Sequence, residues 1–233
     1  MKYAIISDIH SNLEALMKAI ALIGQHQVDE VVCLGDIVGY GANPNECVDL
    51  VKKHCSIVLM GNHDAAAVRP HTAQDFNPLA RRAIEWTYAT LTLEHRDYLQ
   101  SLPYTASKDD LLFVHASPQS PEQFNYIFTQ EEADHAFQFF TEKICFIGHT
   151  HIPAIFSRSV RVKELNPNNR YIINVGSVGQ PRDGNPMLSF GIFDTAFWSF
   201  ELIRDVYDIE TASIKIAQQG LPEELGIRIL YGS

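Results

Sequence analysis

Seven residues able to ligate a metal stand in five short motifs. Asp8 and His10 lie in Ser7-Asp8-Ile9-His10, and Asp36 in Gly35-Asp36. Asn62 lies in Gly61-Asn62-His63-Asp64, His115 in Val114-His115, and His149 and His151 in Gly148-His149-Thr150-His151. Each motif directly follows an apolar run that reads as a buried strand. In open α/β sheets, ligands gather at the carboxyl ends of strands. Imidazoles and carboxylates converging there would make a site for one or two divalent metals.

The spacing suggests how. In an extended segment, residues i and i+2 point to the same side. Asp8 and His10 could therefore share one ion, and His149 and His151 could project together. Gly35 permits a tight turn, and the two oxygens of Asp36 could bridge two cations. Asn62 offers a neutral oxygen, while His63 could stay off the metal and donate a proton. Taken singly, each motif has a plainer reading: a turn Asp beside a surface His, a Gly-Asp turn pair, an Asx-turn, or a core histidine at 115. The joint pattern is what carries weight. Five of the ten histidines fall in these motifs, and every motif occupies the same place after a strand.

The elements that must position these residues read as follows. Residues 2–7, 29–34 and 56–60 are strands, and 11–24 and 44–54 are helices, the first with Ser11-Asn12 as a plausible N-cap. This βαβαβ alternation predicts a mainly parallel core packed by helices. Residues 65–105 lack strand signals and read as a helical insertion, a cap near the site. Residues 111–115 and 144–148 return to strand, with a helix over 129–140 opened by Thr129 and by Glu131 and Glu132 in its first turn. Short runs around 153–157, 160–164, 171–175, 188–194 and 197–204 suggest a second, more antiparallel sheet. Residues 209–219 and 221–230 read as terminal helices. Linker signals are weak, so residues 1–233 read as one domain.

Composition excludes several classes. The chain has 233 residues, 46% of them hydrophobic, so it can bury a sizeable core without staples. A formal net charge of -10 and the lack of a basic tract disfavour nucleic-acid binding, and with it a nuclease. Cys33, Cys47, Cys55 and Cys145 form no C-x-x-C pair, which fits a reducing cytoplasm. The apolar start is interrupted too early, by Asp8 and His10, to be a signal peptide. No run reaches the ~18 apolar residues of a membrane span. The expectation is a cytoplasmic protein with no membrane partner; the oligomeric state is left open.

The ordered set of five motifs resembles the calcineurin-like metallophosphoesterase superfamily. The likeness extends through Asn174-Val175-Gly176-Ser177-Val178-Gly179-Gln180-Pro181-Arg182, which is similar to the Asn-x-Gly-Ser segment of its bacterial branch. No arginine follows Asp36 closely, and Asp64 stands where the protein phosphatases carry glutamate. The chain therefore looks more like the small bacterial phosphodiesterases and phosphatases. The resemblance implies a four-layer α/β/β/α sandwich of two mixed sheets flanked by helices. It also implies two transition-metal ions (Mn, Fe, Zn, Ni or Co): Asp8, His10 and His151 on the first, Asn62, His115 and His149 on the second, Asp36 bridging. By it a bridging hydroxide attacks a small phosphomonoester or phosphodiester, a nucleotide among the candidates, in line. His63 acts as acid or charge stabiliser, and its neighbour Asp64 orients or charge-stabilises it. Arg182 is the candidate phosphate-binding arginine, and Asn12 could reach a phosphate from a helix N-terminus; Arg81 and Arg82 are further candidates. Some members of the superfamily serve as binding scaffolds after losing metal ligands. Here every ligand and His63 are present, which favours the enzyme over the scaffold.

Overall fold

The computed structural model describes residues 1–158 and 164–233. The strands are β1 (Lys2–Ile6), β2 (Glu30–Cys33), β3 (Ile57–Val58), β4 (Thr105–Lys108), β5 (Leu111–Val114), β6 (Ile144–Ile147), β7 (Ala154–Ser157), β8 (Tyr171–Asn174), β9 (Leu188–Asp194) and β10 (Ser199–Asp205). The helices are α1 (Leu13–Ile23), α2 (Pro44–His54), α3 (Asn62–Val68), α4 (Pro78–Thr90), α5 (Leu93–Gln100), α6 (Gln130–Ala136), α7 (Ile209–Gln218) and α8 (Glu223–Tyr231). The strand expected at 160–164 lies outside the described residues except for its last position.

Two mixed five-stranded sheets form, ordered β10-β9-β1-β2-β3 and β4-β5-β6-β8-β7. The first is parallel through β1, β2 and β3, as the βαβαβ alternation predicts. The last third of the chain does not build a sheet of its own. Instead β9 pairs antiparallel with β1, and β8 pairs parallel with β6. Local alternation shows that a segment is a strand, but its sheet is chosen by which free edge the chain can reach. The 65–105 reading also needs correction at its end, because β4 begins at Thr105 and pairs antiparallel with β5.

Strand period sorts the core into layers. Tyr3 and Ile5 of β1, Leu111 and Phe113 of β5, and Ile144 and Phe146 of β6 share one buried cluster between the sheets. The alternate residues Ala4 and Ile6 face outward and pack with Leu16 and Ala19 of α1 and Val48 and Val51 of α2. On the other sheet, Leu112, Val114, Cys145 and Ile147 pack with Ala133 and Ala136 of α6. Both faces of each central strand are thus covered, which is why those strands read as unbroken apolar runs. The 65–105 helices are not set apart from this core. Ala66, Ala67, Ile84 and Leu99 belong to the same cluster as α1 and α2. Helix α6 starts as expected: the Thr129 hydroxyl accepts from the Glu132 N–H, and the Glu132 carboxylate accepts from the Thr129 N–H.

Phe146 is fully buried between the sheets, with ring centroids 5.8 Å from Phe113, 5.7 Å from Phe193 and 6.1 Å from Phe200. Phe146→Ala should therefore cost ~3–5 kcal/mol in urea unfolding. A loss under ~1 kcal/mol would contradict the layered packing.

Candidate metal centre

Most of the strands that lead into a motif end at least one residue before their candidate ligand, whereas β5 runs directly up to His115. The strand β1 ends at Ile6 before Asp8, β2 at Cys33 before Asp36, and β6 at Ile147 before His149. The reason is conformational. Asp8, His10, Asp36, His149 and His151 all have positive φ, between 50° and 65°. The i, i+2 argument from extended backbone is therefore not how these side chains converge. They sit in left-handed turns, a region where Asp and His are enriched among non-glycine residues. Backbone bonds zip the turns together: Asp8 N–H donates to Gly35 O (3.0 Å), His10 N–H to Asp36 O (2.9 Å), and Gly148 N–H to His115 O (2.9 Å).

Two glycines make room for the carboxylates. A Cβ at Gly61 would collide with the Asp36 carboxylate, and one at Gly148 with Ser7 and Asp8. In the motifs Gly-Asn-His-Asp and Gly-His-Thr-His, the glycine serves close approach.

The donor atoms converge in a buried space. One donor atom each of Asp8, His10, Asp36 and His151, a carboxylate oxygen or a ring nitrogen, lies within 4.8 Å of the others, and the same holds for Asp36, His115 and His149. His10 Nε2 is 3.5 Å from Asp36 Oδ2, His115 Nε2 is 3.4 Å from that same oxygen, and His151 Nε2 is 3.3 Å from Asp8 Oδ1. Asn62 Oδ1 lies 3.2 Å from His115 Nε2. All seven candidate ligands are thus brought together.

Tautomers follow from the outer partners. Carbonyl oxygens face three Nδ1 atoms: Val38 O at His10 (3.1 Å), Gln180 O at His151 (2.5 Å) and Leu34 O at His115 (3.2 Å). A carbonyl only accepts, so each Nδ1 carries the proton. Burial pushes the basicity of His10 and His151 well down, leaving both neutral. Their Nε2 atoms are then bare lone pairs, yet they lie 3.2 Å apart. Neither can donate to the other. Asp8 Oδ1, Asp36 Oδ2 and His149 Nε2 are likewise buried without a hydrogen-bond partner. Such groups are costly to bury unless paired or bound to a cation. The donor set therefore fits divalent metal, and the carbonyl contacts are the outer support that metal-binding histidines use.

Electrostatics agree. Burial, with the nearby Asp36 charge adding to it, pushes the Asp8 carboxyl up to about 6. Burial would lift Asp36 too, but the His115 and His63 charges hold it well below the usual carboxylate range. Burial opposes protonation of His115, yet Asp36 beside it raises its value to about 9. Burial takes His149 down to about 3.

The other candidates fall into place differently. His63 lines a cleft of about 540 Å³ together with Asn62 and His149. Its ring stands 4.4 Å from Tyr40, 4.8 Å from His10 and 5.0 Å from Phe76, and its Nδ1 is unpartnered. Burial lowers His63 to about 4. Asp64 was expected to orient His63, but its carboxylate accepts from the N–H groups of Ile37 (2.9 Å), Val38 (3.1 Å) and Gly61 (3.0 Å). It ties the turn after Asp36 to the start of α3. Asn12 was expected to reach a phosphate, but its amide is spent. Its oxygen caps α1 at Ala15 N–H (3.1 Å), and its nitrogen donates to Gly179 O (2.8 Å) and Tyr207 Oη (3.0 Å). Arg182 does stand by the site: its Nη2 donates to Gln180 Oε1 (2.8 Å), its Nε is buried and unpartnered, and its guanidinium lies 5.8 Å from the Tyr40 ring centroid. Arg81 instead holds Gln74 O and Phe76 O.

The sequence also concealed the props. Asn174 Nδ2 donates to Gly148 O (2.7 Å) and Thr150 Oγ1 (2.9 Å), and Ser177 Oγ donates to Asp8 O (2.8 Å). The Asn-x-Gly-Ser segment signalled a functional stretch, but not that it braces both ends of the ligand set.

Comparison with known proteins agrees with this geometry. Residues 1–196 match the calcineurin-like phosphoesterase superfamily domain. An uncharacterized protein of Methanocaldococcus jannaschii is 40% identical over 98% of this chain and 97% of its own. The crystal structure of a metallophosphoesterase from Sphaerobacter thermophilus has a TM-score of 0.89 at 39% identity, covering 100% of this chain and 99% of that one. A hypothetical protein from Pyrococcus horikoshii OT3 shares the fold, with a TM-score of 0.84 at 19% identity over 99% and 98% of the chains. The chain belongs to the calcineurin-like phosphoesterase superfamily and is a metal-dependent phosphoesterase.

Proposed function

We propose that the protein hydrolyses phosphomonoesters or phosphodiesters, nucleotides among them, with two divalent ions held by donor groups that share Asp36. The observation that carries this reading is that Asp36 belongs to both buried donor groups. Asp8, His10 and His151 would complete the first site, and Asn62, His115 and His149 the second. Mixed nitrogen and oxygen donors suit Mn, Fe, Zn, Ni or Co. When bound, such ions supply positive charge that clamps phosphoryl oxygens and makes water a stronger nucleophile.

The chain's own groups do the rest. Asp36 Oδ1 accepts the His63 backbone N–H at 2.8 Å, which fixes the start of α3 against the ligand turn. The His63 ring is thereby held at the inner end of the cleft. Burial keeps it neutral near pH 7, so it gains a proton only against an incoming anion. It would then stabilise charge on the phosphoryl group or pass that proton to the leaving oxygen. Arg182, with an unsatisfied Nε and its guanidinium beside Tyr40, would hold a phosphoryl oxygen. Asp64 would act through the turn that it braces. Residues 65–105 would act as the cap, with α3, α4 and the turn between them forming part of the cleft wall. The four free cysteines support a reducing, cytoplasmic setting. Among the described residues no helix is long and apolar enough to cross a membrane.

Two outcomes test the assignment, with p-nitrophenyl phosphate and bis(p-nitrophenyl) phosphate as substrates and Mn²⁺ supplied. Asp36→Asn should lower the bound-metal stoichiometry at both sites, because it removes the shared charge; full stoichiometry by elemental analysis would refute the bridging role. His63→Ala should retain metal while kcat falls ~10²–10⁴-fold. Unchanged kcat would remove His63 from the mechanism, and loss of both ions would make it a structural residue.

A further inference from the structure

The wall of the cleft holds a feature that metal binding leaves unexplained. Five aromatic side chains line it beside the metal-facing residues: Tyr40, Phe76, Tyr104, Phe124 and Tyr126. Tyr40, Phe76 and Tyr104 are accounted for by packing, since each joins an apolar cluster of the fold. Phe124 and Tyr126 join none of those clusters among the described residues.

Both are nevertheless presented to the site. The Tyr126 ring is stacked on His149 at 4.0 Å with 19° between the planes, while the residue as a whole remains 48% exposed. The Phe124 ring stands 5.9 Å from His115 and 6.5 Å from His149. Phe124 adopts φ of 52°, and Ser120 before it φ of 46°. A bulky residue takes this left-handed conformation only at a cost, and such strain gathers at ligand sites. The cleft also carries Arg69, Asp75 and Glu122. Two carboxylates against one guanidinium give no welcome to a second phosphate.

Resting on the hydrolytic reading above, we propose that Phe124 and Tyr126 are specificity-determining residues that hold a flat, uncharged aromatic group of the substrate. The preferred phosphoester then bears an aryl ring or a nucleobase, with its reacting phosphate at the ligand cluster and its ring against these two side chains. Aromatic rings stack on flat π-faces without needing a particular hydrogen-bond pattern. A saturated ring of equal size lacks that face.

The test compares benzyl phosphate with cyclohexylmethyl phosphate, together with the methyl diester of each, in the manganese-loaded enzyme. The two alcohols are alike in size and leaving ability, so the ratio of their kcat/KM values reports the flat ring. The wild-type ratio should favour benzyl about tenfold. Phe124→Ala and Tyr126→Ala should each bring it towards unity, while Tyr126→Phe and the distant Leu93→Ala should preserve it. A wild-type ratio near unity would overturn the proposal, as would alanine variants that keep the preference. Calorimetric binding of benzylphosphonate against cyclohexylmethylphosphonate supplies a readout without turnover. If neither ester is hydrolysed, the hydrolytic reading fails. Tighter benzylphosphonate binding would still uphold the aromatic subsite, and equal binding would end it.

Discussion

Bare lone pairs and unpaired carboxylate oxygens, forced together out of water, are the constraint on which this structure turns. His10 and His151 present unprotonated nitrogens to each other at 3.2 Å, and Asp8 Oδ1, Asp36 Oδ2 and His149 Nε2 have no hydrogen-bond partner. With Nδ1 of both facing histidines already committed to a carbonyl, two neutral rings have no proton to place between their Nε2 atoms. Cations resolve the conflict and protein groups do not. A cluster of this kind is destabilising on its own account, so the rest of the fold must hold it in place.

The fold does so at three levels. Two sheets with a shared apolar interior bring strand ends from both halves of the chain to one edge. The turns after those strands adopt left-handed backbone at five ligands, each at a cost of ~1–2 kcal/mol for an L-residue. Glycines at 61 and 148 then let backbone pass against Asp36 and Asp8, and Asn174 and Ser177 lock the returning segment to the turns. Asp64 performs the same service for the turn after Asp36 by collecting three backbone N–H groups. Chemistry at the site therefore depends on groups that touch neither metal nor substrate.

Much of this was legible in the sequence. Strands buried on both faces read as apolar runs, the Thr129 cap announced α6, and the seven candidate ligands that the fold brings together were picked out by residue type and place alone. The parts that escaped have a common cause. Partner choice among β7 to β10 depends on sheet edges set elsewhere in the chain. The expected use of Asp64 and Asn12 followed their neighbours in sequence, whereas their hydrogen bonds run to residues far along the chain or to backbone. The i, i+2 rule pointed to side chains that do converge, but for the wrong reason, since positive φ is not visible in residue names. Phe124 and Tyr126 carried no motif, and only the cleft reveals where they stand.

The central claim is that the buried donors exist to hold two cations with Asp36 between them. Anomalous diffraction from manganese-loaded crystals, measured on both sides of the manganese edge, tests it most directly. Two peaks ~3.5–4 Å apart are expected, each in contact with an Asp36 oxygen, one beside His10 and His151 and the other beside His115 and His149. A single peak at saturating manganese, or peaks that leave Asp36 uncoordinated, would contradict it.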